Sequence, residues 1–333
     1  MVKMDVKSLA ESLIRGERRA LARGITLVES TRQDHRVLAN QLLESLSQYA
    51  GNSTRLGITG VPGVGKSTFI ESFGNFLIDQ GHRVAVLAVD PSSSISGGSI
   101  LGDKTRMENL ARREEAFIRP SPAGKTLGGV ARRTRETLLL CEAAGYDHII
   151  VETVGVGQSE TMVSEMTDMF LLLLLPGGGD ELQGMKRGIT ELADLILVNK
   201  ADGDQKTTAM HTVSDYRSAL QFLPRKHKNW EPTVQPCSAL SHQGIQSVWE
   251  QVQSFVTALK TTGEWDKRRS RQAIDWLWRE VSDAMLADLK RAPHLATAVP
   301  DIQRAVMAGD KPPTVAALEI VELYKQTRKR ETP

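Results

Sequence analysis

A glycine-rich octapeptide carries the strongest chemical signal in the sequence. The segment GVPGVGKS, residues 60–67, matches the GxxxxGK[ST] pattern. Glycines allow the backbone to wrap so that successive N–H groups and the next helix N-terminus face phosphate oxygens. Lys66 is expected to reach the β and γ phosphates, and Ser67 to ligate Mg²⁺. The predicted phosphate-binding residues are Gly60, Pro62, Gly63, Val64, Gly65, Lys66, Ser67 and Thr68.

The tetrapeptide NKAD, residues 199–202, has the composition of a guanine-binding loop. It follows an apolar run, so it is predicted at the carboxyl end of a strand, where open α/β sheets bind ligands. The Asp202 carboxylate can accept from both N1–H and the exocyclic amino group of guanine, and such sites discriminate by about 10⁴- to 10⁵-fold. Asn199 is expected to brace the loop, and the Lys200 stem to cover the base.

A second loop supports the choice of guanine. Ser238, Ala239 and Leu240 follow the last predicted strand and match the short SAx loop that places a backbone N–H at guanine O6. NKAD and SAL are weak signals separately. In this order after the phosphate loop, they favour GTP over ATP.

Two acidic residues at strand ends are the next candidates. Asp90 directly follows the apolar run 84–89. Glu152 begins the segment ETVG, in which the Gly155 N–H can sense a γ-phosphate. Either acid can hold a Mg²⁺-bound water, and the alternative is that each only caps a helix. The predicted catalytic residues are Lys66, Asp90, Glu152 and Gln158, with Gln158 positioning the attacking water.

Three polar segments are candidate nucleotide switches. Residues 92–106 are rich in Ser and Gly, and residues 156–160 follow the γ-phosphate glycine. Both can order around GTP and relax after hydrolysis. The third, PGGGDELQGMKRG at 176–188, has three consecutive glycines that suggest a hinge, with an ordinary flexible connector as the alternative.

Composition restricts the class of protein. Lys plus Arg number 42 and Asp plus Glu 40, so the net charge of +2 offers no footprint for nucleic acid or an anionic membrane. The two cysteines and seven histidines show no CxxC or His-rich tract, which argues against a disulfide framework or a metal carrier. The longest apolar run, 169–175, is too short to span a bilayer, and residues 1–15 show no signal peptide. We expect a cytoplasmic protein.

Hydrophobic periodicity predicts the elements that position these motifs. Helical spacing covers 6–49 and resumes beyond about residue 263. Between them, short apolar runs alternate with amphipathic segments, which predicts a mostly parallel α/β sheet covered by helices on both faces. The expected domains are an N-terminal helical extension (1–51), a nucleotide-binding domain (52–262) and a C-terminal helical arm (263–333). The predicted strands are 56–59, 84–89, 149–152, 170–175, 195–199 and 233–237.

The ordered motifs resemble the MeaB/ArgK family of P-loop GTPases, which are chaperones of adenosylcobalamin-dependent methylmalonyl-CoA mutase. The resemblance covers most of the chain and extends beyond generic GTPase motifs. It is carried by GVPGVGKST, AVDPSS, GGSILGDKTRM, ETVGVGQSE, PGGGDELQGMKRG, NKAD and CSAL.

The resemblance implies site roles and partners. Ser67, Asp90, Asp103 and Glu152 would surround Mg²⁺ and its waters, and GTP and GDP would be the nucleotides. Residues 177–188 would form the switch that communicates with the mutase, with Lys186 or Arg187 at its basic end. The family also implies a homodimer closed by the C-terminal helices, slow intrinsic hydrolysis stimulated by the mutase, and gating of cofactor loading or protection of the mutase.

Two other functions remain as alternatives. A metal-insertion GTPase for nickel or cobalt enzymes has the same general fold, but the sequence lacks an obvious soft-metal platform. A P-loop kinase would use the same phosphate loop, but the chain lacks a kinase catalytic loop of the HRD type.

Overall fold

The computed structural model describes residues 5–89, 107–120, 127–154, 159–177, 187–293 and 295–331. The described strands form a seven-stranded sheet in the order β3-β2-β4-β1-β5-β6-β7, and every pairing in it is parallel. The expected mostly parallel fold is confirmed. The strands are β1 (Thr54–Gly60), β2 (Val84–Val89), β3 (Ala116–Arg119), β4 (His148–Thr153), β5 (Met169–Leu174), β6 (Leu195–Val198) and β7 (Thr233–Pro236).

Helices precede, cover and follow this sheet. Those before or between the strands are α1 (Val6–Ile14), α2 (Arg18–Glu29), α3 (Gln33–Leu46), α4 (Lys66–Asp79), α5 (Glu108–Arg112), α6 (Leu127–Ala143), α7 (Ser159–Ser164), α8 (Arg187–Leu192) and α9 (Lys206–Leu220). After β7 come α10 (Ile245–Thr261), α11 (Glu264–Arg291), α12 (Leu295–Met307) and α13 (Pro313–Glu331).

The central strands are apolar on both faces. Strands β2, β4, β5 and β6 are buried at every position. Burial on both faces requires continuous apolar runs instead of alternation. This is why these four strands were predictable. Strands β1 and β7, which are partly buried, were also predicted, and the ends of all six differ from the prediction by no more than two residues.

Strand β3 was missed by the sequence analysis. It has four residues, AFIR, and pairs only with β2 within the described sheet. A short edge strand between a charged segment and Pro120 offers little periodicity. Its formation depends on hydrogen bonding to the edge of β2 that faces away from β4, which local sequence does not reveal.

The N-terminal helices share a core with one face of the sheet. Helices α1, α2 and α3 pack on one another and on α6. Their fully buried residues Leu13, Leu21 and Leu42 join a cluster that includes Val151 of β4. These helices therefore help to cover the sheet.

The chain divides into two compact units, Met1–Ser270 and Arg271–Pro333. The first contains the sheet, and the second contains most of α11 together with α12 and α13. The expected boundaries at 51/52 and 262/263 remain predictions. No helix in the described part of the chain is long and apolar enough to cross a membrane.

A buried ion pair joins β1 to α6 at the amino-terminal edge of the sheet. Arg55 Nε and Nη2 donate to the two carboxylate oxygens of Glu142 at 2.8 and 2.9 Å. The same carboxylate accepts from Ser53 Oγ and from the Gly51 backbone N–H. Burial raises the pKa of Glu142. Arg55 and the Ser53 and Gly51 donors together lower it by a larger amount, so the pKa lies below its usual value.

We expect Glu142→Ala to lower the free energy of unfolding by about 3–5 kcal/mol, because it leaves the Arg55 charge buried and unpaired. The matched control is Glu17→Ala, which removes an exposed ion pair with Arg15 and should have a much smaller effect, because solvent screens exposed pairs. Urea unfolding measures both values. Equal effects of the two substitutions would contradict the assignment of Glu142 as a buried anchor.

Candidate nucleotide-binding site

The glycine-rich loop connects β1 to α4 at the carboxyl edge of the sheet. Gly65, immediately before α4, has a φ of 94°, in the left-handed region that favours glycine. A Cβ added there would lie 2.7 Å from Asn199 Nδ2. The loop therefore needs glycine at this position both for its backbone angle and for the close approach of Asn199.

The phosphate end of the site brings a cation and a hydroxyl to the first turn of α4. Lys66 Nζ donates to the Gly60 carbonyl oxygen at 2.7 Å, which holds the ammonium over the loop. Ser67 Oγ lies 3.4 Å from Glu152 Oε1 at the end of β4. Glu152 is buried. The structure therefore brings a hydroxyl and a carboxylate together beside the phosphate loop.

Asn199 connects the phosphate loop to the SAL loop. Its Nδ2 donates to the Val64 carbonyl oxygen at 2.9 Å. Its Oδ1 accepts from the Ala239 backbone N–H at 3.0 Å and from Cys237 Sγ at 3.7 Å. Burial raises the pKa of the Cys237 thiol to about 12, so the thiol keeps its proton and can donate. This geometry supports the bracing role proposed for Asn199.

The base end of the site groups the remaining NKAD and SAL residues. Ser238 Oγ donates to Asp202 Oδ2 at 2.8 Å, which orients the carboxylate. Lys200 has a φ of 59°, and its Nζ donates to the Gly63 carbonyl oxygen at 2.9 Å. The Lys200 stem therefore lies between the NKAD loop and the phosphate loop. Leu240 is 80% exposed and contributes no core packing.

Four predicted site residues, Asp90, Asp103, Gly155 and Gln158, lie outside the described residues. So do the candidate switch 92–106 and residues 178–186 of the third one. The other predicted residues lie at the carboxyl edge of the sheet. Among them, Pro62 and Thr68 are exposed. The individual roles of all these residues remain predictions.

Sequence reasoning missed several polar contacts that position the site. Thr153 Oγ1 donates to Thr59 Oγ1 at 2.8 Å, which joins the ends of β4 and β1 next to the phosphate loop. The Cys237 thiol and the Ser238 hydroxyl also contribute, although SAL was considered only for its backbone N–H. Each contact joins residues at least 36 positions apart, so local spacing could not reveal them.

A strand, a glycine-rich phosphate loop and a helix, with NKAD and SAL at the same carboxyl edge of a parallel sheet, define a P-loop GTPase. The chain matches the family model described as methylmalonyl Co-A mutase-associated GTPase MeaB over residues 21–294. It belongs to this MeaB family, as the sequence motifs indicated, and it hydrolyses GTP.

Similar proteins come from bacteria and animals. GTPase ArgK of Escherichia coli strain K12 is 53% identical over 285 residues, which are 85% of this chain and 86% of that protein. The mouse protein named methylmalonic aciduria type A homolog, mitochondrial, is 46% identical and covers 96% of this chain and 80% of its own. A crystal structure titled LAO/AO transport system kinase superposes with a TM-score of 0.76 at 41% identity, covering 96% and 97% of the two chains.

We expect Asp202→Asn to weaken GTP binding by about 10- to 100-fold, since the amide keeps one acceptor oxygen but loses the charge and one hydrogen bond to guanine, worth about 1.5–3 kcal/mol. Binding of xanthosine triphosphate should strengthen, because an amide can donate to the carbonyl that replaces the guanine amino group. Calorimetric titration with both nucleotides measures the change.

The matched control for this substitution is Asp204→Asn, which changes an exposed carboxylate two residues farther along. It should leave both affinities unchanged. An unaltered ratio of GTP to xanthosine triphosphate affinity in Asp202→Asn would show that this carboxylate does not read the base.

Proposed function

We propose that the protein is a GTP-dependent chaperone of an adenosylcobalamin-dependent methylmalonyl-CoA mutase, whose cofactor loading it gates and which it protects from inactivation. The MeaB family match over residues 21–294 is the observation that carries this proposal. The name of the mouse relative, which refers to methylmalonic aciduria, supports it.

In this proposal, the nucleotide is bound from both ends. The backbone of residues 60–65, Lys66 and Thr68 bind the phosphates, while Asn199, Lys200 and Asp202 hold guanine with the SAL loop. The positive φ of Gly65 and its contact with Asn199 support a cradle that no larger residue could form. Asp90, Gly155 and Gln158 keep their predicted roles near the γ-phosphate and the attacking water.

The donor atoms at the phosphate end fit Mg²⁺. Ser67 and Glu152 offer a hydroxyl and a carboxylate, and Mg²⁺ prefers oxygen ligands together with retained waters. We propose that Ser67 holds the ion directly and that Glu152 and Asp90 act through its waters, with Asp103 nearby. Bound Mg²⁺ would neutralise charge on the phosphates during hydrolysis.

To control when the mutase is held or released, the GTP and GDP forms of the protein must differ greatly in their affinity for it. Moving a partner from 1:99 to 99:1 between two conformations takes about 5.5 kcal/mol of differential binding. The third candidate switch is attached to the core at Gly177, whose backbone N–H donates to Thr212 Oγ1 at 2.9 Å. The chain re-enters the described structure at α8, which begins at Arg187. We propose that the segment between these two points reports the nucleotide state to the mutase.

We expect the purified protein to hydrolyse GTP slowly, and the mutase to accelerate it. Steady-state phosphate release with and without a mutase from the same cell measures the effect. Lys66→Ala should abolish the stimulated rate because it removes a phosphate ligand, whereas Lys206→Ala, which changes an exposed lysine of α9, should not. Failure of every cobalamin-dependent mutase of that cell to stimulate hydrolysis would exclude the chaperone function while leaving the GTPase intact.

We also propose that the protein is a homodimer closed by its C-terminal helices. Helix α11 exposes an apolar stripe at helical spacing, which is typical of a surface that packs against another helix. The residues, with their exposed fractions, are Ile274 (54%), Leu277 (53%), Trp278 (65%), Val281 (41%) and Met285 (49%).

Trp278→Glu should convert the dimer into monomers, since a charge in the middle of the stripe would be buried on association. Sedimentation equilibrium measures the mass. Phe222→Glu is the matched control, because Phe222 is 83% exposed but lies in the first unit. A wild-type protein that is already monomeric would contradict the proposal, as would a Trp278→Glu variant that remains dimeric.

A further inference from the structure

Three residues that are distant from the nucleotide site bring metal-binding atoms together at the opposite edge of the sheet. His148 begins β4, Asp147 precedes it, and His82 lies two residues before β2. His82 Nδ1 is 3.0 Å from Asp147 Oδ2, and His148 Nδ1 is 3.0 Å from Asp147 Oδ1. One ligand atom from each of the three side chains lies within 4.8 Å of the others.

We propose that His82, Asp147 and His148 bind a borderline divalent transition metal ion of the Zn²⁺ class. Two imidazole nitrogens and one carboxylate, with a fourth position for water, form a common three-ligand zinc set. With metal–ligand distances of about 2.0–2.2 Å, tetrahedral ligand atoms lie about 3.3 Å apart. The two nitrogen–oxygen separations of 3.0 Å are close to this value, and the other separations, which are within 4.8 Å, would shorten on binding.

The surroundings hold these three side chains in place. The Arg83 backbone N–H donates to Asp147 Oδ1 at 2.9 Å. The rings of His82 and His148 are 4.5 Å apart, and both meet the Trp249 ring edge-on at 5.3 and 5.1 Å. The ligand side chains thus need little reordering on binding. Asp147 is 45% exposed, which leaves a route for an ion to enter.

A hydrogen-bonded clasp without a metal is the competing explanation. In such a clasp, each imidazole donates its Nδ1 proton to Asp147. The two explanations differ chemically, because a metal ion replaces both protons, and its binding therefore depends on deprotonated nitrogens. Asparagine separates them, since its side-chain amide can still donate to Asp147 from nearly the position of Nδ1 but binds Zn²⁺ poorly.

The test is a Zn²⁺ titration of the full-length, metal-stripped protein against a chromophoric chelator. Excess Mg²⁺ is included to saturate oxygen-rich sites. We expect one equivalent per chain. The variant His82→Asn with His148→Asn should lose more than about 100-fold in affinity, because loss of even a supporting hydrogen bond to a ligand costs about 10- to 100-fold. Co²⁺ should give visible absorption bands in the parent protein but not in this variant.

Two controls keep the result interpretable. His211→Asn changes an exposed histidine of α9 and should bind Zn²⁺ like the parent. The single variant His82→Asn serves if the double variant does not fold, and GTPase activity should persist in both because the nucleotide site lies at the other edge of the sheet. Absence of stoichiometric binding, or equal binding by the asparagine variants, would overturn the proposal. The proposal is independent of the chaperone function.

Discussion

The geometry of the nucleotide site depends on the hydrogen bonds of one buried side chain, Asn199. Its amide donates to the Val64 carbonyl of the phosphate loop, and its oxygen accepts from the Ala239 N–H of the SAL loop. A buried amide that loses its partners costs about 1–3 kcal/mol, so the three loops hold one another in a single arrangement. The distance between the phosphate and base ends is therefore fixed by hydrogen bonds within the protein.

That arrangement requires the registers of the parallel strands. Gly60 at the end of β1 pairs with Leu173 of β5, and Val198 at the end of β6 pairs with Leu174 of β5 and with Pro236 of β7. A slip of one residue would turn every side chain to the other face. Because both faces of these strands pack closely against other elements, a slipped register would misfit the side chains on each face. The packing that forms the core therefore also keeps the strand ends, and the loops that follow them, together at one edge.

Sequence reasoning was successful where the information is local. Buried strands appear as continuous apolar runs, and the glycine-rich loop must lie between a strand and a helix, so the fold class and the phosphate end were predictable. Contacts over long sequence distances were not: Ser238 with Asp202, Thr59 with Thr153, and the pairing of β3 all depend on tertiary packing. The scattered histidines are the clearest case, since His82 and His148 come together only because β2 and β4 are neighbours.

The two edges of the sheet have separate tasks. At the carboxyl edge, loops present groups to a ligand, as open α/β sheets generally do. At the amino edge, buried charges join elements: Arg55 pairs with Glu142, and Arg269 of α11 donates to Asp168. Glu152 and His148 belong to the same strand, about 13 Å apart at about 3.3 Å per residue. The proposed metal site is therefore separated from the candidate nucleotide site by the length of a buried strand, so the two share no side chain.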